Sequence, residues 1–122
     1  MTLRQAISQC DAVKPNQYTT QEKVRWLSRL DGRVQREILD VHDPGAQEFA
    51  GYSEGDVDAE LLAQAPYDEM YPLFLQSQVD FYNAEYARYN NSAELFNTAW
   101  AAYADYINRT RHPLGENKMR VW

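Results

Sequence analysis

From Leu75 onward the apolar positions advance by four and three residues in turn: Leu75, Val79, Tyr82, Tyr86, Tyr89, Ala93, Phe96, Trp100, Tyr103 and Ile107. Such a series lies along one side of an α-helix and cannot serve a strand, whose side chains alternate with period two. It is the apolar seam of helices packed at shallow angles. One continuous helix keeps this phase across Asn90-Asn91. However, a helix from Pro66 to Arg111 greatly exceeds the usual three to four turns. Asn91 followed by Glu94 also makes an asparagine-headed capping box. Of the two arrangements, one long helix or a hairpin, the expectation is a tight turn at Tyr89 to Ser92 joining two antiparallel helices.

The rest of the chain points the same way. Leu3 to Val13 reads as a short helix capped by Thr2 and stopped by Lys14-Pro15-Asn16. Thr19 and Glu22 form a capping box for a second helix, whose buried face is Val24, Leu27, Leu30, Val34, Ile38 and Val41 and whose end falls near His42. Residues 43–58 read as an acidic loop pinned by Phe49 and Tyr52, followed by a helical turn at Ala59 to Gln64. Pro72 is tolerable if it falls in the first turn of the helix after Pro66. The expected fold is all-α: a small helical bundle with a long helical hairpin (turn near Asn90-Asn91), the acidic loop at 43–58 and an extended C-terminal tail. In domain terms, residues 1–112 form the helical unit and 113–122 the tail.

The chemistry-bearing residues are sparse. His42 and His112 lie far apart and match no metal-ligand spacing, and the five glycines form no phosphate loop. The single cysteine, Cys10, excludes an internal disulfide and has no base near it in sequence. Asp56, Asp58 and Glu60 alternate like part of a calcium loop, but Leu61 and Tyr67 stand where that loop needs glycine and a closing acid. The expectation is no enzyme, no cofactor and no metal. The net charge of −6 argues against generic nucleic-acid binding, and no apolar run is long enough to cross a bilayer. The start "MTLRQAISQC" lacks the apolar core of a signal peptide.

Three features point to partners. Arg25, Arg29, Arg33 and Arg36 fall within about 80° of one another at 100° per residue, opposite the apolar face of the second helix. Their guanidinium forks suit phosphate or an acidic partner, whereas Glu22, Glu37 and Asp40 offer the bland alternative of pairing within the helix. Aromatic residues off the seam, among them Tyr18, Trp26, Tyr67, Tyr71, Phe74, Phe81 and Tyr106, exceed what one seam needs, and some are expected to face other subunits. The tail ends in Met119, Arg120, Val121 and Trp122, an apolar anchor suited to a pocket on a partner.

Trp26-Leu27 with Leu30-Asp31-Gly32, Pro66-Tyr67-Asp68, Tyr82-Asn83, and Tyr89-Asn90-Asn91-Ser92 with Phe96-Asn97 together resemble a family of small helical proteins of tailed bacteriophages and prophages. These are the head–tail connector, adaptor or head-completion proteins. The resemblance covers most of residues 14–112; the tail beyond His112 and Pro72 depart from it. It implies a structural virion protein, made in the bacterial host cytoplasm and placed at the head–tail interface. Such a protein forms a homo-oligomeric ring, commonly of twelve copies, beneath the portal and docks a neck or tail protein. DNA passes through the channel without sequence-specific binding, and the C-terminal segment grips the portal. The alternative is a small regulatory or nucleic-acid-binding helical protein that uses the row Arg25, Arg29, Arg33 and Arg36.

Overall fold

The computed structural model describes residues 1–40 and 49–110. Within them the chain is helical, with four α-helices: α1 (Leu3–Val13), α2 (Thr20–Arg33), α3 (Met70–Tyr82) and α4 (Tyr86–Thr110). The cap expected at Thr2 and the capping box expected at Thr19 are both formed, Thr2 also as a full box; the box expected at Asn91 and Glu94 is not, because both residues lie inside α4. The Thr2 hydroxyl accepts from the Gln5 amide and the Thr19 hydroxyl from the Glu22 amide, each at 3.1 Å, while the Gln5 and Glu22 side chains reach back to the cap amides. Each box satisfies amides that a helix start otherwise leaves open.

The buried face of α2 is the expected one through Ile38; Val41 and His42 lie outside the described residues. Past Arg33 the helix widens into a π-turn, Val34–Leu39, with the Asp40 amide bonded to the Gln35 carbonyl at 2.8 Å. α3 is the hub, with α1, α2 and α4 all packed against it. It accordingly buries residues on most sides, including Met70, Tyr71, Leu75 and Val79. Pro72 sits at its third position, where the missing N–H costs no intrahelical bond.

The helical turn expected at Ala59 to Gln64 does not form. This segment is irregular and lies beside the start of α1, where the Leu3 amide bonds the Ala59 carbonyl (3.2 Å) and, just before the segment, the Arg4 amide bonds that of Val57 (2.8 Å). Donors left open by the first turn of α1 thus take carbonyls that a helix would have used internally. The one strand-like feature among the described residues is an isolated bridge between Thr2 and Glu60.

The hairpin is present, but its turn lies at residues 83–85, not at Tyr89 to Ser92. Asn90, Asn91 and Ser92 are inside α4. Two bonds close α3: Glu85 N–H to the Asp80 carbonyl and Ala84 N–H to that of Phe81, both 3.0 Å. This is a Schellman motif, and it places Ala84 in the left-handed region at φ +58° where glycine is usual. Side chains lock it. Asn83 Oδ1 accepts from the Tyr18 hydroxyl at 2.7 Å and from Gln17 at 3.2 Å. Asn90 and Asn91 sit exposed on α4 and need no cap. The four-three ladder runs straight through the turn, because a three-residue connection happens to preserve its phase. Its members therefore divide: Phe96, Tyr103 and Ile107 are buried on α4, whereas Tyr82 and Tyr86 flank the turn in solvent.

Candidate functional site

Two buried carboxylates hold the scaffold and were not singled out by the sequence. Asp31 is fully buried and accepts from the Tyr71 hydroxyl (2.6 Å), the Leu62 amide (3.0 Å) and the Tyr52 hydroxyl. Three donors and no acceptor face it, which is the surrounding of an ionised carboxylate. Burial nonetheless raises its pKa, against the lowering effect of those three bonds. Burial, and then the charge of Asp31, push the Tyr52 and Tyr71 hydroxyls far up, so both remain donors. Tyr52 thereby pins the loop to α2, helped by its own amide on Ser28 Oγ (3.0 Å) and by the edge of Phe49. Asp80, equally buried, binds Lys14 Nζ at 2.5 Å and Ser92 Oγ at 2.8 Å, tying the end of α1 to both arms of the hairpin. A signal for Asp31 was available: it lies four residues after Leu27 and seven after Val24, on the apolar side of α2.

The arginine row is exposed throughout. Arg33 pairs with Glu37 at 2.9 Å and lays its guanidinium over the Trp100 ring, 4.7 Å from the centroid. The other expected internal pairs are absent. Glu22 is committed to its capping box and Asp40 accepts from Gln35 at 2.6 Å. Arg25, Arg29 and Arg36 therefore have no partner among the described residues. Arg29, Arg33 and Arg36 line one concavity of about 300 Å³ together with Gly32, Gln35 and Phe49, and Arg25 and Arg29 share a second beside Tyr52. The four guanidinium groups do share one face, as the spacing predicts.

The off-seam aromatics split by location. Tyr71 and Trp26 are core, and Tyr18, Tyr67 and Phe74 are half-buried against it. At the hairpin tip the rings remain in solvent: Phe81 is 46% exposed, Tyr82 48% and Tyr86 62%. Tyr82 stacks flat on Trp26 (5.3 Å, 7°), and Phe81 lies against Tyr89 (5.4 Å). These contacts seat the Phe81 and Tyr82 rings against neighbouring rings, so that part of the tip presents a packed aromatic surface. At the far end of α4, Tyr106 stacks on Tyr67 at 4.6 Å while staying 38% exposed.

Among the described residues no group of three His, Cys, Asp or Glu side chains is placed to hold a metal, and no helix is long and apolar enough to cross a membrane. Cys10 is buried, and burial pushes its thiol up to about 11, away from the thiolate that nucleophilic chemistry needs. His42, His112 and the tail residues Met119, Arg120, Val121 and Trp122 lie outside the described residues. Comparison with protein families, with curated proteins and with solved structures finds no match to this chain.

Proposed function

We propose that this chain is a structural virion subunit, one copy of a homo-oligomeric ring beneath the portal that joins the DNA-filled head to the neck or tail. The resemblance described from the sequence suggests the role. The observation that carries it is the aromatic tip of the hairpin, where Phe81, Tyr82 and Tyr86 stand exposed. A lone monomer gains nothing from this exposure, whereas aromatic rings are what subunit interfaces are enriched in. Two buried carboxylates that tie the helices together suit a rigid part whose work is done by its surface. In this reading the C-terminal segment, ending in Met119, Arg120, Val121 and Trp122, docks on the portal. A dozen weak tails acting together give tight attachment without a large interface per copy.

The test removes residues 114–122 and measures binding to purified portal. The reading expects weakened portal binding with unchanged helical circular dichroism. Undiminished binding would refute the docking role. A second reading, a nucleic-acid-binding protein, is favoured by Arg25, Arg29 and Arg36, which have no partner among the described residues. It expects affinity for an oligonucleotide that falls steeply with salt and loses about one phosphate contact per arginine removed.

A further inference from the structure

The arginines of α2 and its π-turn that have no partner among the described residues have a counterpart elsewhere on the same molecule. Arg25, Arg29, Gly32 and Arg36 occupy relative positions 0, 4, 7 and 11 on α2 and its π-turn. Glu94, Thr98, Ala101 and Asp105 occupy the same relative positions on α4. Residues so spaced share one side of a regular helix such as α4, where eleven residues span roughly 16 Å; on α2 the row enters the π-turn before Arg36, which shortens it and turns its last member aside. All of these except the partly exposed Gly32 are exposed. Neither the Glu94 nor the Asp105 carboxylate has a partner among the described residues, just as Arg25, Arg29 and Arg36 have none. Each row carries charge at both ends and a small residue between them. A Cβ at Gly32 would meet nothing within 4 Å, so that position is an open notch, and the facing position on α4 is Ala101. Small residues there let two helix backbones come close, while the end charges fix the register.

We propose that the α2 face Arg25–Arg29–Gly32–Arg36 of one copy docks on the α4 face Glu94–Thr98–Ala101–Asp105 of a second copy. This deepens the ring reading above and rests on it. The occupant is a second copy, not a nucleic acid, for two reasons. The net charge of −6 repels polyanions, and Glu37 and Asp40 line the same concavity as the arginines. Because the two faces are unlike, copies add head to tail, the kind of contact that closes into a ring when the rotation permits. Arg33 takes no part: it is already held by Glu37 and Trp100 on the flank of the row.

The test is charge exchange in the full chain, read by sedimentation and native mass spectrometry at low salt. Arg25→Glu with Arg36→Glu, and separately Glu94→Arg with Asp105→Arg, each put like charges at both ends of the contact. Each double variant is expected to weaken self-association at least tenfold. Combining all four substitutions restores opposite charges, and assembly should return. Helical circular dichroism should stay constant, because the substituted side chains are exposed. Rings that persist in both double variants would overturn this interface while leaving the ring reading standing. A wild-type chain that stays monomeric at all concentrations and on the portal would defeat the ring reading itself. If both double variants lose assembly but the fourfold variant does not regain it, the pairing of these two faces is refuted. Tight salt-sensitive binding of an oligothymidine probe, abolished by the arginine substitutions without change in assembly, would overturn it in favour of nucleic acid.

Discussion

Tyr71→Phe removes a single oxygen from a fully buried side chain, and the structure says what that oxygen does. The hydroxyl donates to Asp31 at 2.6 Å and accepts from the Ala63 amide at 2.8 Å. Its loss deletes one charge-assisted bond, worth about 1.5–3 kcal/mol, and leaves the amide of fully buried Ala63 without its partner, a cost of about 1–3 kcal/mol. Allowing for partial relaxation, the expected destabilisation is about 3 kcal/mol. Tyr52→Phe is the internal control. It breaks a bond to the same carboxylate, but Tyr52 is only partly buried, so water can replace the hydroxyl, and the expected cost is about 1 kcal/mol. Urea unfolding followed by circular dichroism gives both values, provided the slope is unchanged. A Tyr71→Phe cost below 1 kcal/mol, or no greater than that of Tyr52→Phe, would refute the view that this network holds α2, α3 and the 52–63 segment together.

Asp31 also makes a pH prediction. Burial raises its pKa in the folded state, so the folded chain holds this proton to higher pH than the unfolded chain does. The associated stability is therefore fully present below the ordinary aspartate range and is lost as pH rises through the folded pKa. The stability of wild type minus that of Asp31→Asn should accordingly shrink with rising pH across that window; a difference that grows would contradict the direction assigned. Lys14→Met leaves the buried Asp80 carboxylate with Ser92 alone and should cost about 3 kcal/mol, and adding Asp80→Asn should recover much of the loss in thermal unfolding. Ala84→Gly relieves a left-handed alanine in the hairpin turn and should stabilise by about 0.5–1 kcal/mol after the unfolded-state entropy of glycine is subtracted. A destabilised Ala84→Gly would show that the turn is held some other way.

Much of the helix layout was legible because local chemistry decides it. Thr2 and Thr19 cap where their sequence contexts say they should, and Leu27, Leu30 and Val34 bury because their spacing matches the helix. The hairpin turn was misplaced because its determinants are not local. Asn83 is held by Tyr18 and Gln17 more than sixty residues away, and Asp80 by Lys14. A turn of three residues leaves the four-three pattern in phase, so periodicity alone passes over it. The same reasoning explains the irregular 59–64 segment, whose Ala59 carbonyl, with that of Val57 before it, answers open amides at the start of α1. The arginine row was legible as a row. That three of its members lack a partner among the described residues was only half legible: the capping box that occupies Glu22 was expected, whereas the Gln35–Asp40 bond spans five residues in a π-turn that the sequence does not announce.

Electron microscopy of the purified protein with and without portal reads out whether this chain works as an assembled ring. Closed rings are expected, formed alone or templated on the portal, with one copy number per ring. Particles that remain monomeric in both samples, at every concentration at which the portal itself is intact, would contradict the ring reading.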